Sequence, residues 1–129
     1  MADLVYRGED GRAITANEGA FSYYHRLQRV RNYVQATPAH TVSLDEAAKI
    51  ACLERKYFSA FFRAKVGIGF TRWQKRLRIS RALEILRSRD DSVLQVARSC
   101  GFRSVRTFER AFKHQIGLTA LEFKLRVRP

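Results

Sequence analysis

Apolar positions along this chain recur at helical spacing almost throughout, and no stretch shows a convincing period-2 alternation. Tyr23, Leu27, Val30 and Val34 fall at i, i+4, i+7 and i+11, one face of a helix that Thr37-Pro38 ends. Ser43-Leu44-Asp45-Glu46 has the form of a capping box and predicts a second start. A long helix without Gly or Pro is predicted over 71–88, with Trp73, Leu77, Leu83 and Leu86 as its core positions. Ser92-Val93-Leu94-Gln95 and Thr119-Ala120-Leu121-Glu122 repeat the capping pattern. The prediction is an all-α chain.

The pattern also repeats. Displaced by 50 positions, the sequence overlays itself without a gap. Leu44 falls on Leu94, Ala47 on Ala97, Ile50 on Cys100 and Ala51 on Gly101. Phe58 falls on Phe108, Phe62 on Phe112, Gly67 on Gly117 and Trp73 on Phe123. The second copy predicts a short helix over 93–100, a turn at Gly101 and a second helix running from a Ser104 cap to about Gln115. This is a helix-turn-helix. Units are expected at 43–67 and 92–117, with the 71–88 helix between them.

The second helix of the later copy has two chemically opposite faces. Val105, Phe108 and Phe112 form an apolar stripe, while Arg106, Arg110 and Lys113 stand opposite, bordered by Arg103, Thr107 and His114. In the earlier copy Phe58, Phe61 and Phe62 face inward, and Lys56, Ser59, Ala60 and Arg63 face out. Glu54 is a poorer cap than Ser104. Ala60 stands where the later copy has Arg110; an alanine can touch a thymine methyl but cannot read a guanine.

Charge gives these faces a partner. The 129 residues hold 25 Lys and Arg against 12 Asp and Glu, a net charge of +13, and nineteen of the bases are Arg. Such an excess fits a polyanion, and Arg forks onto phosphate and guanine edges. Residues 1–20 differ: they carry −2, three glycines and no sustained period, and are expected to form a flexible arm ahead of a domain over 21–129. The candidate base readers are Arg103, Arg106, Thr107, Arg110, Lys56, Ser59 and Ala60. The candidate phosphate contacts are Arg55, Arg63, Arg72, Lys75, Arg76, Ser104, Lys113 and His114.

Other chemistries lack their residues. The three His have no HExxH spacing, and no GxGxxG, GxxxxGK or GxSxG motif occurs. Cys52 and Cys100 stand alone, without CxxC. Neither an enzyme nor a metal or other cofactor is expected. No apolar run approaches the roughly 20 residues of a membrane span, and no signal peptide is legible, so a cytoplasmic, nucleoid-associated protein is expected. The competing readings are an adaptor that holds RNA polymerase or another regulator with only nonspecific DNA contact, and a basic membrane-surface or RNA-binding protein.

Several of these residues together carry a family resemblance. Gly101-Phe102, Phe108, Arg110-Ala111-Phe112-Lys113 and Gly117 resemble the signature of AraC/XylS-type transcription regulators. The run from Arg78 to Leu86 is similar to that family's linker helix, and Tyr33-Val34, Val42-Ser43-Leu44 and Ala47 to its opening helix and first repeat. The likeness covers residues 21–125. Departures are Ala120 in place of a usual Pro, Phe123-Lys124 in place of Tyr-Arg, and Ala60 in place of a base-contacting Arg. The resemblance implies about seven helices, with two helix-turn-helix units joined by a long central helix. It implies a monomer occupying two adjacent major grooves of double-stranded DNA, often with bending. With 20 residues before the first helix, the chain is similar to short stand-alone activators of the MarA and SoxS type, which have no small-molecule effector domain and touch RNA polymerase.

Overall fold

A computed structural model describes residues 6–7, 13–14 and 16–127. Its elements are β1 (Tyr6–Arg7), β2 (Ala13–Ile14), α1 (Gly19–Tyr23), α2 (His25–Ala36), α3 (Leu44–Ile50), α4 (Arg55–Val66), α5 (Phe70–Ser88), α6 (Val93–Ser99), α7 (Val105–Ile116) and α8 (Ala120–Val127). The fold is all-helical apart from one antiparallel pairing of the two-residue strands, Tyr6 with Ile14 and Arg7 with Ala13. No described helix is long and apolar enough to cross a membrane.

Apolar side chains gather in two cores. The first joins α1–α4 to the start of α5, with Phe21, Leu27, Val30, Phe58, Phe62 and Trp73 fully enclosed. Its rings interlock: Phe21 stacks on Trp73 at 5.0 Å, and Phe62 meets Trp73 edge-on at 5.4 Å. The second core joins the rest of α5 to α6–α8 through Ile79, Ala82, Leu83, Leu86, Val96, Cys100, Phe108 and Phe112. One continuous helix thus supplies both cores. Gln74, near the crossover, is buried; its amide donates to Val42 O and accepts from Val42 N, each at 2.8 Å. Thr41 Oγ1 donates to Gly101 O at 3.3 Å, tying the loop before α3 to the turn of the second unit.

Three helix starts obey the sequence's capping signals. Ser43 with Glu46 and Ser92 with Gln95 form complete capping boxes. Thr119 and Glu122 exchange the same pair of bonds, each 3.1 Å.

The structure corrects the sequence reading in four places. The opening helix is two helices, making eight among the described residues rather than seven. Tyr24 adopts an extended conformation (φ −100°, ψ 113°), with its ring edge-on to Phe61 at 5.4 Å. That break turns Tyr23 out to 77% exposure and leaves Phe21 in the core instead.

The domain also starts earlier. Ala16 and Ala20 are buried, and Asn17 donates its backbone N–H to Val66 O at 2.7 Å, so residues 16–20 belong to the packed unit. Of the arm expected over 1–20, residues 1–5, 8–12 and 15 lie outside the described residues.

The repeat is not gapless. The first helices of the two units superpose at an offset of 49: Ser43 caps α3 as Ser92 caps α6, and Leu44 and Val93 are both partly packed while Leu94 is exposed. The left-handed turn residue is Cys52 (φ 57°) in one unit and Gly101 (φ 85°) in the other. Leu53 N then bonds Ala48 O as Phe102 N bonds Ala97 O. From the caps Glu54 and Ser104 onward the offset is 50. The second turn therefore holds one extra residue, at Arg103.

The fourth correction is Arg76, which is 4% exposed. It stands three residues from both Trp73 and Ile79, on the face α5 turns inward as it passes from one core to the other. It is no surface phosphate contact.

Candidate nucleic-acid interface

The second helix of each unit is held by its neighbours before its outer face meets anything. α7 is pinned by Phe108 and Phe112, both fully buried, in an aromatic ladder of Phe102, Phe108, Phe112 and Phe123 with centroid steps of 5.2, 5.7 and 5.8 Å. Its start is capped by Ser104, whose hydroxyl accepts from Thr107 N at 3.1 Å and donates to Thr107 Oγ1 at 2.9 Å. Its end is closed by Gly117 in the left-handed region. α4 is pinned by Phe58, Phe62 and Val66 and ends on Gly67, also left-handed, but Glu54 makes no side-chain cap. The turn ahead of α4 is braced from α2 instead. Arg26 Nη1 donates to Ala51 O at 2.6 Å and Cys52 O at 3.2 Å, and Arg29 Nη2 lies 3.8 Å from Cys52 Sγ. These arginines, which stand between the apolar positions of α2, hold the Cys52 turn.

The outer faces are cationic. On α7 and the turn before it, Arg103, Arg106, Thr107, Arg110, Lys113 and His114 are exposed, along with Ser104. On α4, Arg55, Lys56, Ser59, Ala60 and Arg63 are exposed, and on α5 so are Arg72 and Lys75. Of the fifteen candidates only Arg76 is taken into the core. Arg55 lies 3.7 Å from Asp45, an exposed pair of little energetic weight.

Two side chains near these faces escaped the sequence reading. Tyr57, 61% exposed, occupies on α4 the place of Thr107 on α7 and stacks on Phe61 at 6.4 Å. The 50-residue offset already paired it with Thr107. Glu109 lies partly buried on α7, and one of its carboxylate oxygens is enclosed without a hydrogen-bond partner. Desolvation raises its pKa above the ordinary carboxylate value.

Comparison with known proteins places this arrangement. A family model described as a helix-turn-helix domain matches residues 47–126. The probable transcriptional regulator LumQ of Photobacterium leiognathi is 27% identical over 99 residues, which are 77% of this chain and 40% of that protein. The RCS-specific transcriptional activator RclR of Escherichia coli is 29% identical over 103 residues, 80% of this chain and 36% of that protein. The chain therefore spans about two fifths of the length of such relatives. Among solved structures, the DNA-binding domain of the global transcriptional factor AdpA, in complex with a target DNA, is similar with a TM-score of 0.76 at 26% identity. The match covers 80% of this chain and 93% of that one. Two capped helix-turn-helix units on one shared helix, with arginine-rich outer faces, find their counterpart in regulators rather than enzymes, and the chain belongs to the AraC-type helix-turn-helix family of DNA-binding transcription regulators.

Proposed function

We propose that one copy of this chain binds one asymmetric duplex site, with α4 and α7 in adjacent major grooves on one face of the DNA, and that it acts as an activator. The observation that carries this reading is α5. Its first half fills one core with Phe70 and Trp73, and its second half fills the other with Ile79, Leu83 and Leu86. A dimeric helix-turn-helix protein sets the distance between its recognition helices with a subunit interface. Here a single helix of 19 residues takes that part, about 28 Å long at the standard rise.

The two helices then have different tasks. α7 reads bases through Arg103, Arg106, Thr107 and Arg110, while Lys113, His114 and the Ser104 cap hold backbone phosphates. α4 presents Lys56, Ser59 and Ala60 to the groove and grips phosphates mainly through Arg55 and Arg63, joined by Arg72 and Lys75 from α5. The activator reading draws on the named role of RclR and implies a surface that RNA polymerase touches. Competition in a gel shift tests the reading. A selected duplex should resist challenge by random duplex, single-stranded RNA and anionic vesicles; equal displacement by random duplex would leave only nonspecific binding.

A further inference from the structure

A cleft of about 160 Å³ lies between the end of α2, the loop after it and one face of α5. No candidate for DNA contact lines it. Its lining combines apolar side chains, Val34 and Pro38 from α2 and the loop and Leu77 from α5, with the guanidinium-bearing Arg78 and Arg81 of α5.

Arg78 is the reason to expect a ligand. Its side chain is half-buried, with the guanidinium 5.6 Å from the centre of the Phe102 ring. Nη2 donates to Gln74 Oε1 at 3.2 Å, an oxygen that already accepts from Val42 N. No ion pair joins Arg78 to a carboxylate among the described residues. Desolvation pushes its pKa below the usual arginine value, which means burial disfavours the charge it carries. The nearby Cys100 thiol gives no counter-charge, because burial pushes its pKa up to about 11. Arg81, three residues on, adds a second guanidinium, and Glu84 is the one carboxylate in the lining. His40 also faces the cleft but is turned to Glu46 at 3.2 Å.

We propose that this cleft binds a small monocarboxylate with a compact apolar body, the carboxylate on Arg78 and Arg81 and the body against Val34, Pro38 and Leu77. Planar guanidinium groups match a carboxylate two bonds at a time. The apolar side chains select against inorganic anions, and an apolar cavity of about 150 Å³ is known to hold a six-carbon ring. The loop forming one wall also touches the second helix-turn-helix unit, since Pro38 O lies 3.3 Å from where a Cβ on Gly101 would stand.

The test is a titration of the whole chain followed by amide chemical shifts, with three probes: cyclohexanecarboxylate, its neutral carboxamide, and acetate. Saturable shifts are expected with the first at Thr37, Ala39, His40, residues 74–81 and Gly101, and at least tenfold weaker binding of the other two. Arg78→Gln should weaken the carboxylate at least tenfold. Ser80→Leu, which fills the cleft and leaves the partners of Arg78 in place, should abolish binding in a folded protein. Equal response to all three probes, shifts centred on α4 and α7, or undiminished binding by Ser80→Leu would overturn the site. The titration contains no DNA, so its outcome is independent of the duplex reading.

Discussion

Gly101 and Gly117 share a left-handed backbone but not an environment. A Cβ on Gly117 would meet nothing within 4 Å, whereas one on Gly101 would press on Pro38 O at 3.3 Å and the Ala39 carbonyl at 3.4 Å. Gly117→Ala should therefore cost only the conformational term, about 1–2 kcal/mol. Gly101→Ala should cost that and more, because the opposing atoms are backbone and cannot swing aside. Chemical denaturation of both variants checks this; equal losses would mean that the loop yields freely. The side chains facing outward should instead separate by what their loss does to binding. Arg106→Ala or Arg110→Ala should cost about 1–3 kcal/mol of binding and relax preference at one base step, while Lys56→Ala and Arg63→Ala should weaken all duplexes alike. Binding-site selection with each variant distinguishes them, and a changed preference in the Lys56 or Arg63 variant would reverse the assignment.

Helix starts were legible in the sequence because a capping box is a local device: Ser43 and Glu46 need nothing beyond four residues to find each other. The pair also gives α3 a pH signature. Glu46 has its pKa lowered mainly by the bond from the Ser43 backbone N–H, with His40 adding a side-chain bond. Its folded value lies below the unfolded one, so the stabilisation is complete above about pH 4.5 and fades as pH falls through the folded value. Glu46→Gln keeps the box, as Gln95 does in α6, and removes that titration. Its melting temperature should therefore fall less than that of the parent between pH 6 and 3; parallel curves would refute the linkage. What the sequence hid was set by distant contacts. The break at Tyr24 depends on a ring from α4, and the burial of Arg76 depends on where α5 crosses between cores. The extra residue at Arg103 was masked because Ala and small residues match at either offset. Ala47 and Ala48 are adjacent, so Ala97 pairs plausibly with either. The Ser43 and Ser92 caps and the hydrogen bonds of the turns decide in favour of Ala48. Fold class, and the exposure of every interface candidate but Arg76, were readable because both follow from the faces of single helices.

At the scale of the molecule, the shared α5 makes the distance between the two outer faces a property of one chain, and DNA must meet that distance on its own helical repeat. Adjacent major grooves on one face recur about every 34 Å, against roughly 28 Å for α5, so the duplex should bend towards the protein. Neutralising about six phosphates should give a slope near −5 in log K against log salt, and a flat dependence would remove the duplex from the mechanism. Spacing supplies the sharper test. Inserting five base pairs between the two halves of a selected site rotates the second groove to the far side, out of reach of α4 while α7, the base reader, stays bound. Affinity should then drop to that of an isolated half-site, and inserting about ten should not restore it, because α5 cannot lengthen by a further turn of DNA. Light scattering should report one protein per duplex on the intact site. If a second copy joins on the spaced sites and restores affinity, or if only a two-to-one complex forms on a palindrome, the recognition helices belong to different chains and α5 does not set the spacing.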